Sequence, residues 1–560
     1  MVSMAAGRTD WTRRRNEFEK RLCEGRQFVG EPGSKIVDPL DCVPLLEAVI
    51  RSGDRVALEG NNQKQADFLA DCLCNIDAER VNNLHMVQSV IALPSHCEIF
   101  ERGIAGIADF SYSSPQSARV AKMVSEGKMR IGEIHTYLEL FGRYFVDLTP
   151  DVALITAISA DRDGNLYTGP NTEDTPTIVE AAKFRQGIVV AQVEKIVDKL
   201  PRVDIPGEWV DFLVPVGRPC YTEPLFTRDP ALITDVHVLM AMMVIKGIYA
   251  EYGVKSLNHG IGFGTCAIEL LLPTFAESLG LKGKICSHWT VNPHPSLIPA
   301  IECGFIESIH SFGSEVGMEE YMANRPDVFF IGPDGTMRSN RAMCQVAGHY
   351  AVDAFVGSTL QMDRYGNSST AVAGRIAGFG GAPNMGCDPP GRRHSSPSWL
   401  RAGKESAMTQ DLIGPVPRGR KLVIQMVETF GAGRVPSFVH RLDAWTLMEE
   451  AGFKVPPIMM YGDAITHLVT EEGIAHLLRC DSLEQREAAI KAVAGYTDLG
   501  READPKETLE LRRQGIVQTP QDLGIDIGDA NTSHLAARSI RELVEWSGGL
   551  YRPPDRFREW

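Results

Sequence analysis

Residues 153–165 read ALITAISADRDGN, an apolar run that ends in the turn sequence DRDGN (161–165). The same pattern recurs at residues 356–367, VGSTLQMDRYGN, which end in DRYGN (363–367). Asp, Gly and Asn favour turns, so one copy alone would indicate only a loop. Two copies, each at the end of a predicted strand, indicate an internal duplication of one structural unit.

Further apolar runs flank these two segments. They are nearly continuous rather than alternating, and they lie at residues 55–58, 152–155, 188–191 and 422–424. Runs of this kind are typical of strands buried on both faces of a parallel sheet. Segments 63–74 and 233–252 have helical patterns. We therefore predict an α/β fold with largely parallel sheets and helices on both faces.

The chain divides into two related α/β domains and a tail. The stretch 215–229 contains several Pro and Gly residues and marks the junction between the halves. Beyond residue 494 the sequence is polar and helical in pattern. The predicted units are residues 1–225, residues 226–494 and a helical C-terminal extension, residues 495–560.

The composition is that of an acidic globular protein, since the 560 residues include 57 Lys and Arg against 72 Asp and Glu, a net charge of −15. Nucleic acids need a basic face and anionic membranes attract polybasic segments, so both partner classes are excluded. The most apolar stretch, residues 238–245, is far shorter than the roughly 18 residues of a membrane span. Anionic small molecules remain possible substrates, provided that a local basic pocket receives them.

Twelve cysteines are scattered along the chain, and no C-x-x-C pair occurs. This spacing excludes a disulfide scaffold and a structural zinc site, and free thiols in a reducing cytoplasm are expected. We predict no metal site and no cofactor bound by this chain.

Two glycine-rich loops are the candidate ligand-binding segments, residues 258–265 (NHGIGFGT) and residues 374–386 (GRIAGFGGAPNMG). Glycines let backbone N–H groups approach a ligand closely, which suits a phosphate or the oxyanion formed when a thioester carbonyl is attacked. Neither loop has the context of a dinucleotide-binding G-x-G-x-x-G or the Gly-Lys-Ser/Thr of a P-loop. A G-x-S-x-G hydrolase elbow is also absent.

Together with their neighbours, these loops resemble a known family. The first half is similar to coenzyme A transferases at DRDGN (161–165), AAK (181–183), VAQV (190–193) and PRV (201–203). The second half carries matching features at the first glycine loop, LQMD (360–363) and GFGG (378–381). Two C-terminal segments are ITHLVTEEG (465–473) and GIVQTPQDLG (515–524). They resemble more narrowly the alpha subunits of malonate decarboxylases.

This resemblance implies a transfer of an acyl carrier protein between two acids. Acetyl-S-carrier plus malonate would give malonyl-S-carrier plus acetate, and other subunits would then decarboxylate the malonyl thioester. In that family the carrier bears a phosphoribosyl-dephospho-coenzyme A arm, so this chain must admit a long phosphorylated thiol. The expected partners are the carrier protein subunit, the decarboxylase subunits, malonate and acetate, in a cytoplasmic multisubunit complex.

The resemblance leaves two chemical routes open. Many coenzyme A transferases pass the acyl group through a glutamate, and Glu315 in SFGSEVG (311–317) is the nearest candidate, with Val316 where many members have Asn. In the related citrate lyase alpha subunits, a carboxylate attacks the carrier thioester directly without an enzyme nucleophile. Glu307 is a second candidate acid.

The glycine loops supply the other predicted site residues. We assign the oxyanion hole to the backbone of Gly380, Gly381 and Gly262. Substrate binding is assigned to five residues of the same loops, Asn384, Arg375, Gly260, Gly264 and Phe379. Among them, Arg375 is the candidate cation for malonate.

Two other interpretations stay open. An ordinary coenzyme A transferase acting on free coenzyme A thioesters would share the glycine loops but not the C-terminal segments. A non-catalytic scaffold subunit is the third interpretation, because the sequence beside Glu315 departs from the nucleophile signature.

Overall fold

The apolar runs of the sequence form the centres of two sheets in this computed structural model. The structure describes residues 4–61, 64–169, 172–311, 313–329, 346, 348–388, 396–406 and 419–558. The run 55–58 is a strand, and the runs 152–155, 188–191 and 422–424 lie within longer strands. The predicted α/β class with largely parallel sheets is confirmed.

The first sheet consists of β1 Arg55–Leu58, β2 Leu84–Val90, β3 Ala105–Tyr112, β4 Arg130–Ile134, β5 Val152–Ala160, β6 Leu166–Tyr167, β7 Ile188–Ile196 and β8 Phe212–Pro215. Its order is β4-β3-β2-β1-β5-β7-β8, and β6 pairs with β5. The pairing of β5 with β6 is antiparallel, whereas the other strand pairs of this sheet are parallel.

The later strands are β9 Ser256–His259, β10 His288–Val291, β11 Ser308–Ser311, β12 Ala354–Gly357, β13 Gln361–Asp363, β14 Ser368–Ser369, β15 Ala371–Val372, β16 Arg375–Ile376, β17 Leu422–Met426, β18 Phe438–Val439, β19 His467–Thr470, β20 Gly473–Ala475 and β21 Val517–Gln518. The second sheet has the order β11-β10-β9-β12-β17-β19-β20-β21. It is parallel up to β19, and β20 and β21 are antiparallel.

The described α-helices are α1 Met4–Arg26, α2 Cys42–Val49, α3 Asp67–Cys74, α4 Pro94–Glu101, α5 Ser117–Ser125, α6 Tyr137–Val146, α7 Thr175–Phe184, α8 Asp235–Val244, α9 Phe263–Leu271, α10 Ile298–Glu302, α11 Glu319–Ala323, α12 Ala382–Met385, α13 Pro397–Glu405, α14 Ala444–Ala451, α15 Leu483–Val493, α16 Pro505–Arg513 and α17 Ile540–Trp546. A π-helical turn, Ile245–Tyr249, and a last turn, Ala250–Tyr252, continue α8. No helix among the described residues is long and apolar enough to cross a bilayer.

Burial on both faces explains why the strand runs are continuously apolar. In β1, Val56 and Leu58 pack into a core with residues of α2 to α5, whereas Ala57 packs into a second core with residues of α6 and α7. Neighbouring residues of a strand point to opposite faces, so a sheet covered on both sides has no position for an exposed polar side chain.

The two DRxGN turns have the same local structure. The carboxylates of Asp161 and Asp363 each accept the backbone N–H and the side-chain amide of the asparagine four residues later, at 2.8 to 3.0 Å. Gly164 and Gly366 both adopt left-handed φ values, +88° and +83°. Each turn closes an antiparallel pair, β5–β6 or β13–β14. This common geometry supports the duplication inferred from the sequence.

The two sheets mark the two halves, while the limits at 225 and 494 stay predictions. The extension 495–560 contains α16 and α17, and it also supplies β21, which pairs with β20 at the edge of the second sheet. Segments of the second half also enter a core of the first, through Ile376 and Leu447. The halves are therefore packed into each other.

Candidate active site

A cavity of about 250 Å³ lies at the carboxyl ends of three strands of the second sheet. Its wall includes Gly260 after β9, Asn292 after β10 and Ser358 after β12. Strand β9 pairs with β10 on one side and with β12 on the other, so the chain order reverses at β9. Crevices at such reversal points are the usual ligand sites of parallel α/β sheets.

Both glycine loops meet at this cavity. Its wall contains five predicted site residues, Gly260, Arg375, Phe379, Gly380 and Gly381. The first half of the chain contributes Tyr112, at the end of β3, and Tyr137, at the start of α6. The cavity therefore lies between the two halves.

The second glycine loop is hydrogen-bonded to the first half at Ser111. The carbonyl oxygen of Ser111 accepts the N–H groups of Phe379 at 2.7 Å and Gly380 at 2.9 Å. The N–H of Gly381, which precedes α12, has no acceptor among the described residues. Because Gly380 already donates its N–H, Gly381 is the predicted oxyanion donor of the cavity wall whose N–H remains available.

Three predicted residues of the glycine loops do not line the cavity. Gly262 immediately precedes α9. Gly264 packs against Met426, where an added Cβ would lie 3.1 Å from the methyl carbon. The backbone carbonyl oxygen of Asn384 accepts the Nδ1–H of His349 at 2.7 Å. The side-chain Nδ2 of Asn384 is buried without an acceptor in the described chain.

Glu315 lies behind the cavity wall. Its side chain is fully buried, and its Oε1 accepts the N–H groups of Phe226 and Thr227 at 3.2 and 3.0 Å and the Thr227 hydroxyl at 2.8 Å. Phe226 itself lines the cavity. In this structure Glu315 therefore fixes the segment that forms the wall, and its carboxylate does not line the cavity.

Arg375 gives the cavity its charge. Among the described residues that line the cavity, it is the only Lys, Arg, Asp or Glu. The other polar residues of the wall have side-chain amides, hydroxyls or imidazoles: Asn258, Asn292, Ser358, Thr359, Thr370, Tyr112, Tyr137, His259 and His294. An acidic protein needs a local cation for an anionic substrate, and Arg375, an exposed residue at the cavity wall, stays the candidate.

Glu269, a buried carboxylate that no sequence motif indicated, contacts the two histidines. Its Oε1 accepts hydrogen bonds from Nδ1 of His259 and Nδ1 of His294, both at 2.9 Å. Burial alone would raise the pKa of Glu269, but the two imidazoles lower it to about 2. His294 follows β10 in the sequence NPHP (292–295), and a polar residue directly after a parallel strand was the available signal.

A second cavity of about 830 Å³ shares Phe379 and Met459 with the first. Its lining includes the buried Arg420 and the exposed Lys454, together with the acidic residues Glu133, Glu139, Asp388 and Asp463. Phe379 thus lies between the smaller cavity and the larger one.

One described cluster has the geometry of a metal site. Ligand atoms of Glu133, His135 and Glu139 lie within 4.8 Å of one another. Arg143 already contacts this cluster, because its Nη1 donates to Glu133 at 2.5 Å and lies 3.2 Å from Nε2 of His135. A guanidinium in this position competes with a metal cation, so we assign no metal here.

The fold is that of a coenzyme A transferase, as predicted. The apoenzyme of the acyl-CoA transferase YdiF from Escherichia coli O157:H7 superposes with a TM-score of 0.50 at 15% sequence identity. The superposition covers 79% of this chain and 87% of that chain. At this identity the likeness describes the fold alone.

Other relatives are much more similar. The chain is 62% identical over 550 residues to the acetyl-S-ACP:malonate ACP transferase of Malonomonas rubra. The aligned region covers 98% of this chain and 99% of that protein. It is 57% identical to a chain of a Pseudomonas malonate decarboxylase hetero-tetramer in complex with malonate, with a TM-score of 0.93 and coverage of 98% and 99%. Residues 10–560 match the family model described as malonate decarboxylase, alpha subunit, transporter. This chain therefore belongs to the malonate decarboxylase alpha-subunit family.

Proposed function

We propose that this chain transfers the thiol of an acyl carrier protein from acetate to malonate, as the alpha subunit of a malonate decarboxylase. The observation that carries the proposal is the cavity between the halves, which combines an available backbone N–H at Gly381 with one cation, Arg375. A thioester exchange needs an oxyanion donor, and a dicarboxylate substrate needs a cation.

In the proposed reaction, a malonate carboxylate oxygen attacks the carbonyl carbon of the acetyl thioester. The Gly381 N–H stabilises the oxyanion. The carbon–sulfur bond then breaks, so that the carrier departs as a thiolate and a mixed anhydride of acetate and malonate remains. The thiolate then attacks the malonyl carbonyl of that anhydride. Malonyl-S-carrier forms, and acetate departs with one oxygen that came from malonate.

This direct route agrees better with the site than a route through an enzyme glutamate. No carboxylate side chain lines the cavity among the described residues. Glu315 would have to break three hydrogen bonds at its Oε1 to reach a thioester there. Leaving a buried donor without its acceptor costs on the order of 1–3 kcal/mol for each hydrogen bond lost.

The carrier arm needs a path that is wider than the substrate site. We infer that the arm, a phosphoribosyl-dephospho-coenzyme A group, enters through the second cavity and places its thioester beside Phe379. The volume of about 830 Å³ and the wall at Phe379 that it shares with the smaller cavity support this path for a long group. The chain itself holds no resident cofactor in this scheme.

The proposed partners are the carrier protein and the decarboxylase subunits of a cytoplasmic complex. The similar Pseudomonas chain belongs to a hetero-tetramer that was crystallised with malonate. An acidic carrier would be repelled by a chain of net charge −15. The surface of this chain that docks the carrier is therefore expected to be locally basic.

The test is acyl exchange by the purified chain with labelled malonate and two alternative donors, the acetyl carrier and acetyl-coenzyme A. Label that moves to the carrier much faster than to coenzyme A supports the proposal. Faster transfer to free coenzyme A would identify an ordinary coenzyme A transferase, and no transfer to either would identify a scaffold subunit. The intact carrier arm must be confirmed by mass before the assay.

A further inference from the structure

The buried carboxylate of Glu269 holds the two histidines of the cavity in one tautomer. Each Nδ1 lies 2.9 Å from Glu269 Oε1, and the hydroxyl of Ser296 donates to Oε2. An ionised carboxylate can only accept hydrogen bonds, so Nδ1 of His259 and of His294 each carry the hydrogen that is donated. The chemistry of each ring then depends on what surrounds its Nε2.

The two Nε2 atoms have different surroundings. Nε2 of His259 lies 2.8 Å from the hydroxyl of Tyr249, and because burial lowers the pKa of His259, this ring is neutral and accepts from the tyrosine. Nε2 of His294 is buried and has no hydrogen-bond partner in the described part of the chain. His294 lines the cavity and is only 4% exposed. A buried nitrogen in a cavity wall that has no protein partner is available to bond water or a polar atom of a ligand.

The position of the His294 ring is fixed on two sides. Nδ1 is held by Glu269, and the ring stacks on Phe226 with centroids 5.6 Å apart and planes 15° apart. Phe226 is in turn held by the hydrogen bond from its N–H to Glu315. Nε2 therefore has a defined place in the cavity wall before any ligand binds, which is the condition for selective recognition.

Nδ1 of His294 donates to Glu269, so an anion bound at Nε2 needs a second N–H on the ring, and the ring that binds an anion is therefore a cation. A buried carboxylate is stabilised by a compensating cation beside it. The other titratable neighbours do not supply one, because burial lowers the pKa of His259 and raises those of Tyr249 and Cys266. A protonated His294 would donate one N–H to Glu269 and present the other to the cavity.

We propose that His294, positioned by Glu269, binds a carboxylate of the acid substrate through its Nε2–H. The choice of malonate as that acid rests on the proposed function. Arg375 lines the same cavity, so a dicarboxylate can meet two cations, whereas acetate has only one carboxylate to offer. One cation can then hold the carboxylate that does not react, and this arrangement favours malonate over acetate.

Calorimetric titration of malonate into the full chain tests the proposal. His294→Gln keeps a polar side chain but removes the charge, and we expect the malonate Kd to rise by about tenfold to a hundredfold, as for the loss of a charge-assisted hydrogen bond. His288→Gln is the matched control, because His288 is exposed on β10 of the same sheet and contacts Ser308. Its Kd should equal that of the wild type.

The pH dependence of binding is the second readout. If His294 binds malonate as a cation, binding to the wild type weakens as the pH rises and the ring loses its charge, and His294→Gln abolishes this dependence. Glu269→Gln should reduce it, because the ring loses its negatively charged partner. A folded His294→Gln chain whose malonate Kd stays within about twofold of wild type at every pH overturns the proposal.

Malonate binding is measured without the carrier, so the two proposals can fail separately. A wild-type chain that binds malonate through His294 but exchanges no acyl group supports the binding site and overturns the transferase function. Normal exchange by His294→Gln, with unchanged malonate KM, overturns the binding site and leaves the function in place.

Discussion

The α-carbon of Gly378 lies so close to the carbonyl oxygen of Ser111 that a Cβ added at Gly378 would be 2.5 Å from that oxygen. Gly378 also has a φ of +80°, in the left-handed region that L side chains avoid. The same carbonyl accepts the N–H groups of Phe379 and Gly380. The second glycine loop is thus joined to the first half of the chain at a position that only glycine fits.

Replacing Gly378 by Ala is expected to displace this loop and abolish most acyl exchange. The left-handed backbone costs about 1–2 kcal/mol for an alanine, and the contact with Ser111 adds to it. Gly374→Ala is the matched control, because Gly374 has a φ of +74° but no atom within 4 Å of an added Cβ. Equal losses of exchange rate in the two variants would show that the left-handed backbone strain causes the loss, and not the contact between the halves.

Arg375→Ala is expected to raise the KM for malonate about tenfold and the KM for acetate in the reverse reaction much less. A dianion depends more strongly on Arg375, the single arginine among the described residues that line the cavity. Arg441→Ala, which removes an exposed arginine beside Trp445, should leave both constants unchanged. Equal increases for the two acids would refute the role of Arg375.

Glu315→Gln is expected to retain near-normal exchange. The glutamine oxygen can still accept hydrogen bonds from Phe226 and Thr227, so the cavity wall should persist. Steady-state exchange and the melting temperature are compared with the wild type. A folded variant whose rate falls by about a thousandfold or more would instead assign the nucleophile to Glu315.

Glu269 is expected to stabilise the fold at neutral pH and to lose this effect in acid. Its pKa of about 2 lies below the ordinary value of 4.5, so its contribution is complete above about pH 4.5 and disappears as the pH falls towards 2. Glu269→Gln should therefore cost about 3 kcal/mol at pH 7 and progressively less below pH 4.5. Glu449→Gln, at an exposed site, is the control and should leave the free energy of unfolding unchanged. A loss of unfolding free energy in Glu269→Gln that grows in acid would contradict this assignment.

The α/β class and the duplication could be predicted because they depend on local sequence. A strand covered on both faces must be apolar throughout, as residues 55–58 and 422–424 are. The DRxGN turn needs an aspartate, a left-handed glycine and an asparagine at fixed spacing, so it is visible twice. The extension was harder to predict, because β21 is short and its pairing with β20 depends on a distant segment.

The candidate site was predicted in part, for the same reason. The glycine loops could be recognised by their composition. One cavity is indeed lined by residues of both loops, Gly260, Gly381 and Arg375. Which N–H remains free depends on the distant Ser111 carbonyl, and no local pattern reveals that Gly380 is already bonded. Glu269 and His294 are far apart in sequence and become a pair only through the packing of α9 beside β10.

The central claim is that malonate attacks the carrier thioester directly, without an enzyme carboxylate. A single turnover with excess chain, acetyl carrier and malonate labelled with ¹⁸O in its carboxylates tests it most directly, with the mass of the released acetate as the readout. Direct attack predicts that the acetate of the first turnover carries one ¹⁸O atom, taken from malonate. Unlabelled acetate would contradict the account, because its second oxygen would then have come from a glutamate of the chain.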